Sequence, residues 1–308
     1  MYKGVQEMDV VQRSKLSDRC FTAMNYFLLI LFTILCIYPF YYVFIFSISD
    51  PAKVVSGVTW FPKGLTLYNY ISIFKIEGIV RAFMNSTIRT VVGTLITLFC
   101  CSIFAYTVTK NQTYFRKFIY RFVILTMFFN PGLIPIYLTM KSYGLINSFW
   151  IYILPFAMSA YFVILLKTFI EQLPISLEEA ALIDGAGYFT VFAKIIFPLS
   201  QPILATIAVF SAVNQWNSWF DNYLYVSNPK LQTLQYLLYQ YLTESQRIAD
   251  SIKNMNTQQM LDAANQMVLT PEGVRMTITM IAVIPIILVY PMMQRYFVKG
   301  IMMGAVKG

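Results

Sequence analysis

The sequence of 308 residues contains no histidine. That absence excludes Ser-His-Asp catalysis, the H-E-x-x-H metalloprotease helix and histidine-ligated metal sites. Charge is also scarce: Asp, Glu, Lys and Arg together make up 12% of the chain. No G-x-x-x-x-G-K-[ST] phosphate loop occurs, so the chain has no recognisable means of holding ATP. Its apolar stretches carry no paired carboxylates, which removes the acid–base couple that a membrane-embedded enzyme would use. The four cysteines are Cys20, Cys36, Cys100 and Cys101. None stands at metal-ligand spacing, and they read as small buried hydrophobes. There is no tandem repeat and no low-complexity linker, so residues 1–308 read as one membrane domain.

What is abundant is hydrocarbon. Apolar residues make up 58% of the chain and aromatic ones 17%, against about 45–50% apolar in an ordinary soluble domain. They gather into runs long enough to cross a bilayer, which predicts an all-α membrane protein. The net charge of +9 then bears on orientation in the membrane and implies no nucleic-acid partner.

Residues 1–20 are polar and basic, with Lys3, Arg13, Lys15 and Arg19. The run Phe21 to Ile48 is too long for the core of a cleaved signal peptide and is followed by no A-x-A site. It is expected to remain as a first span with its amino end in the cytoplasm. Residues 49–80 form an outer loop. Further spans are expected at about Ala82–Thr109, Phe118–Leu138, Phe149–Ile170, from Ile203 onward, and Met276–Phe297. Lys110, Arg116 and Lys117 mark a cytoplasmic loop. Six transmembrane helices with both termini inside is the consistent count. Residues 222–275 make a long outer loop. Leu231, Leu234, Leu238, Tyr241 and Leu242 recur there at helical spacing, and the Gln-, Asn- and Met-rich stretch 245–266 is also expected to be helical.

One polar stretch interrupts the spans. Residues 173–202 read LPISLEEAALIDGAGYFTVFAKIIFPLSQP. Pro174 and Ser176 open a helix, and Ser176 and Glu179 stand at capping-box spacing. Asp184-Gly185-Ala186-Gly187 breaks it, and a second helix is expected from about Thr190 to Phe197, stopped by Pro198. The result is a helical hairpin projecting from the membrane into the cytoplasm.

Glu179-Ala180-Ala181, then Gly185 after three residues, then Ile195, Phe197 and Pro198 after nine more, resembles the EAA loop of ATP-binding-cassette importer permeases. The family pattern ends I-x-L-P, and Phe197 stands where leucine is usual. The stretch Phe61–Tyr70 also resembles the loop after the first helix in carbohydrate-type permeases, and within the superfamily the chain looks most like the MalG-like branch that takes polysaccharide fragments or oligosaccharides. The resemblance implies the MetI-like permease fold in a bacterial cell membrane. It implies a heterologous second permease, two ATPase subunits that supply the ATP and Mg, and an extracellular solute-binding lipoprotein. Coupling to the ATPases then falls to Glu179, Ala180, Ala181, Asp184, Gly185, Ile195 and Pro198. The chain itself holds no cofactor.

The solute path is read from polar residues in apolar surroundings. In the fifth span Asn214, Asn217, Ser218 and Asp221 fall on one helical stripe, with Trp216, Phe220 and Tyr223 opposite. Such a stripe suits a hydroxyl-rich solute, and it equally suits helix–helix hydrogen bonding. Arg89 is either a snorkelling side chain or a charge facing the path. Asn130, in Asn130-Pro131-Gly132, marks a kink or a ligand contact. An oligosaccharide is the expected solute. Peptides, amino acids or other non-sugar solutes are the alternative, and they would call for a more charged path.

Overall fold

The computed structural model describes residues 3–51, 53–54, 57, 60–253 and 271–305. Among them are helices, turns and a single isolated bridge, Ser49 with Leu65, and no strand. The described residues group into two compact units, drawn from 1–71 with 261–280 and from 72–260 with 281–308.

In the first unit, α1 (Lys3–Ser47) is a single 45-residue helix with Pro39 inside it. Its side chains from Phe21 to Phe40 lie exposed, among them Phe32 at 67%. A helix apolar all round is what a hydrocarbon solvent demands. After α1 the chain folds back on itself. Asn69 Nδ2 donates to the carbonyls of Ser47 and Ser49 at 3.0 Å each, satisfying orphan acceptors at the helix end. Tyr41 Oη donates to the carbonyl of Trp60, whose ring packs edge-on to Tyr38.

The second unit is organised around α3 (Ile79–Thr109), an unbroken 31-residue helix. It packs on α6 (Ala160–Ile170) and α10 (Gln201–Asn217). Cys101, Ala105 and Tyr106 of α3, Phe162, Val163 and Leu166 of α6, and Leu204 and Ile207 of α10 bury one another in a common core. Small residues among them, Cys101 and Ala105, stand beside large ones, and in lipid such packing takes the place of the hydrophobic drive.

Among the described residues, three helices can cross a membrane by length and composition, or up to five if each bent pair counts as one span. The expected third span explains the difference from six. It is two short helices, α4 (Arg116–Thr126) and α5 (Leu133–Ser142), parted at Asn130-Pro131-Gly132. The expected fourth span enters through 3-10 turns at Phe149–Tyr152 and Leu154–Phe156 and bends 47° into α6. The last helix, α13 (Pro271–Ala305), contains Pro285 and Pro291. The loop helix expected from leucine spacing is α12 (Leu234–Lys253). Of the predicted helix at 245–266, residues 254–266 lie outside the described residues. The cysteines only partly fit the reading as buried hydrophobes. Cys101 is buried and Cys100 half-buried, whereas Cys20 and Cys36 sit on the exposed surface of α1. In lipid, exposure does not oppose a thiol's apolar character, so burial is not required.

Candidate functional site

Two places carry polar groups in this apolar scaffold: the hairpin and a cavity walled by α3, α6 and α10. The hairpin's first helix is α7 (Ile175–Ile183). Its N-cap is Pro174 with no side-chain cap, so Ser176 and Glu179 lie inside the helix and the capping box is not formed. Proline removes one orphan donor of the terminus, and the Leu177 N–H donates to the Pro174 carbonyl at 3.3 Å. The turn forms as expected. Gly185 takes φ 84°, its N–H donates to the Leu182 carbonyl, and the Ala186 N–H reaches back to Ala181. This is a Schellman closure, which requires the left-handed conformation that glycine adopts without cost.

The second helix runs differently from its prediction. α8 (Tyr188–Val191) passes through a π turn at Phe192–Ile196 into α9 (Phe197–Leu199), so the helix continues past Pro198 and breaks at Ser200. The widened turn closes with the Phe197 N–H on the Phe192 carbonyl. It takes up the extra length that a proline ring would otherwise force into a stop. The bend to α10 is 79°.

The hairpin has two faces. Leu182, Ala181, Ala186 and Ile195 pack onto the α3–α6 core. Glu179, Ala180, Asp184, Gly185 and Pro198 are exposed. So are large apolar side chains: Ile183 is 85% exposed, and Ile175, Leu177 and Phe189 also face outward. The inward carboxylate is Glu178, which the motif spacing passed over. It forms an ion pair with Lys110 and accepts a 3.3 Å hydrogen bond from Tyr106 Oη. Lys110 lies 68 residues away in sequence, so no local pattern points to it.

The cavity holds about 460 Å³ and is lined by Arg89, Thr97, Ser159, Ser211, Asn214, Gln215 and Ser218 among others. A second hollow of about 540 Å³ shares Ser218 and adds Asn130 and Asp221. The predicted stripe is not one helix. α10 ends at Asn217, Ser218 is extended at ψ 124°, and α11 (Phe220–Tyr225) begins a new direction. Asn214 and Ser218 reach the cavity, Asn217 is exposed outside its lining, and Asp221 turns inward with 4% exposure. The reason is Arg89. It neither snorkels nor stands free: it is 1% exposed and its guanidinium is fully engaged. It pairs with Asp221, donates from Nε and Nη2 to Gln215 Oε1 at 3.2 Å, and donates to the Ser218 carbonyl at 3.3 Å. The Tyr152 ring covers it at 4.5 Å. An arginine at this depth is tolerated only when paired this way. Breaking the helix at Ser218 supplies both the free carbonyl and the carboxylate.

Gln215 belongs to the site and was missed. Its amide side chain fills the space beside Gly93, where a Cβ would stand 2.7 Å from Nε2. Trp216 is packing, as its place opposite the stripe suggests: Nε1 donates to the Ala282 carbonyl and the ring meets Phe83 edge-on. Asn130 Oδ1 accepts from the Gly132 N–H at 3.0 Å, holding the turn between α4 and α5 while its residue lines the second hollow. Among the described residues no group of three or more His, Cys, Asp or Glu could hold a metal ion.

Comparison with known proteins follows this geometry. Residues 99–303, which contain both hairpin and most of the cavity wall, match the family described as binding-protein-dependent transport system inner membrane component. The chain is 35% identical over 295 residues to the polygalacturonan/rhamnogalacturonan transport system permease protein YtcP of Bacillus subtilis, covering 95% of this chain and all of that one. It is 37% identical to Protein LplC of the same organism, over 88% of this chain and 90% of the relative. A solved bacterial ABC transporter involved in import of the acidic polysaccharide alginate contains a chain that superposes with a TM-score of 0.79 at 29% identity, covering 91% of this chain and 98% of that one. The chain therefore belongs to the family of binding-protein-dependent transport system inner membrane components, the permease subunits of ABC importers.

Proposed function

We propose that this chain is one of two permease subunits of an ATP-driven importer of oligosaccharides, with both termini and the hairpin in the cytoplasm. A second, homologous permease completes the path, two ATPase subunits dock on the hairpins and hold the ATP and Mg, and an extracellular binding lipoprotein delivers the solute. The chain's own part is passage and coupling.

The observation that carries the solute class is the chemistry of the cavity. Among the described residues Arg89 is its only cationic wall residue, and Asp221 with Gln215 already satisfies it. What remains facing the space is uncharged and hydrogen-bonding: Thr97, Ser159, Ser211, Asn214 and Ser218, beside apolar Phe156, Met158 and Phe162. Hydroxyls and amides both donate and accept, as sugar hydroxyls do. A wall without an unmatched charge gives a peptide's termini or an amino acid's zwitterion no counter-ion. The named solutes of the polygalacturonan/rhamnogalacturonan and alginate relatives are acidic carbohydrates, so they support the sugar class, while the uncharged wall here points to a neutral member of it.

Coupling rests on the hairpin's outward face. Ile183, Leu177 and Phe189 are large apolar side chains exposed on the hairpin, as are the carboxylate residues Glu179 and Asp184. Such patches on a protein surface are interaction sites, and the ATPase is the occupant the EAA pattern specifies. ATP binding draws the ATPases together, the docked hairpins move with them, and the helices packed on each hairpin reorient to open the cavity outward. Hydrolysis resets it. The ligand drives the change only through its unequal affinity for the two states.

The test is ATP hydrolysis by the complex co-purified with this chain and reconstituted in lipid with its binding protein. Oligosaccharides, peptides and amino acids are supplied in turn. Stimulation by an oligosaccharide class is expected. Stimulation by peptides or amino acids alone would overturn the solute assignment, and absence of any co-purifying ATPase would overturn the coupling role.

A further inference from the structure

We propose that Lys110 and Glu178 form the joint through which the hairpin drives α3, and that α3 acts as a stiff rod carrying that movement to the cavity. The pair sits where the two elements meet. Glu178 occupies the first turn of α7 and is 9% exposed, on the side of the hairpin opposite its docking face. Lys110 is the C-cap of α3, where a cation also meets the helix's negative end. Tyr106, one turn earlier, completes the joint: its hydroxyl donates to Glu178 and its ring lies 4.2 Å from the Lys110 ammonium. Hydrophobic packing alone would let the hairpin slide over the core. A three-way polar contact with fixed geometry does not, because each displaced partner would be left desolvated and unpaired.

The rod follows from comparing elements. α3 contains no proline and runs 31 residues without a break. The segments around it are interrupted: the fourth span bends 47°, the hairpin meets α10 at 79°, and α4 and α5 are parted by a loop. Bends occur where prolines and π turns loosen the ladder, so displacement at a hairpin is absorbed in those segments and transmitted by α3. Its polar anchors stand 21 residues apart, Arg89 at the cavity and Lys110 at the hairpin, or about 31 Å at 1.5 Å per residue. Arg89 in turn is fastened to α10 and α11 through Gln215, the Ser218 carbonyl and Asp221. Movement of the rod therefore acts on the groups that line the solute space. Glu178, Lys110 and Tyr106 are positioning residues: they touch neither solute nor nucleotide.

This inference rests on the coupling role proposed above, and the experiment separates the two. The complex is reconstituted with its binding protein, and solute moved per ATP hydrolysed is measured for wild type, Glu178→Gln, Lys110→Gln and the exchanged pair K110E/E178K. Each single variant is expected to lower that ratio at least about 5-fold, the lower bound of ordinary coupling between sites. The exchanged pair is expected to restore part of it, because the ion pair returns while Tyr106 loses its acceptor at 178 and its cation at 110. A role confined to holding the fold would reduce the amount of complex and leave the ratio per complex unchanged, so an unchanged ratio in Glu178→Gln overturns the proposal. Failure of the exchanged pair to restore any of the ratio also overturns it. Where Glu178→Gln does not assemble, Glu178→Asp keeps the charge and withdraws it by one methylene, and the same ratio decides. A wild-type complex whose hydrolysis ignores solute would instead refute the coupling role itself.

Discussion

Arg89 sets the energetics of the cavity wall because its charge is buried, at 1% exposure. Removing its carboxylate partner by Asp221→Asn leaves a buried guanidinium whose remaining acceptors are an amide and a carbonyl. The expected cost is about 3–5 kcal/mol, the range for breaking a buried pair from one side. The double variant Arg89→Met/Asp221→Leu leaves no orphaned charge and should cost less than either single change, which thermal unfolding of the purified complex measures. Gly93 is the second residue on which the site depends. A methyl group there would stand 2.7 Å from Gln215 Nε2 and 2.8 Å from its Cδ, so Gly93→Ala forces Gln215 off Arg89. It should destabilise by about 1–3 kcal/mol as an overpacking change. In a Gln215→Ser background the clash disappears and the same substitution should cost little more, a non-additivity that a double-mutant cycle reads directly. Asn214, in the cavity wall, has a different signature. On the proposed solute path, Asn214→Ala would withdraw a solute hydrogen bond and should raise the half-saturating solute concentration about 2- to 10-fold.

At the scale of elements, the hairpin turn is held by backbone conformation rather than by space. A Cβ at Gly185 would meet nothing within 4 Å, yet its φ of 84° is one that branched side chains resist. Gly185→Val should open the Schellman closure at a cost of about 1–3 kcal/mol of strain and abolish solute-driven ATP hydrolysis while the spans stay assembled. Gly185→Asn, which visits the left-handed region readily, should retain most of it. This element was the most legible part of the chain, because its signal is local: a motif of fixed spacing, a helix-ending glycine and a polar interruption between apolar runs. The fifth span was legible only in part. Periodicity placed Asn214, Ser218 and Asp221 on one stripe by assuming an unbroken helix. The break at Ser218 turns Asp221 onto Arg89, a partner 132 residues away in sequence. Lys110–Glu178 and Arg89–Gln215 were hidden for the same reason. Pairings between distant segments leave no period behind.

For the whole molecule, composition pointed to the solvent and the hairpin's motif pointed to the kind of partner. The number of spans followed less directly, because Asn130-Pro131-Gly132 and Pro155 divide apolar runs that read as continuous. What remains exposed then has two different explanations. Along α1 the exposed apolar side chains meet lipid. On a hairpin that projects into the cytoplasm as proposed, they meet water unless a protein covers them, and Ile183 is the most exposed of them at 85%. It is the residue before the Asp184–Gly185 turn, so it projects from the tip where a cleft on the ATPase would receive it. An apolar side chain seated in such a pocket has the character of an interface hot spot, worth about 2 kcal/mol or more. Ile183→Asp replaces it with a charge that would be buried without a partner, and truncation to alanine removes only the contact. The ATPase co-purifying per permease should therefore fall modestly with Ile183→Ala and almost completely with Ile183→Asp. The amount of permease in the membrane should not change, since no core residue packs on Ile183. Loss of the permease itself would mean the side chain supports the fold. Undiminished ATPase in the Asp variant would place the docking surface elsewhere on the chain.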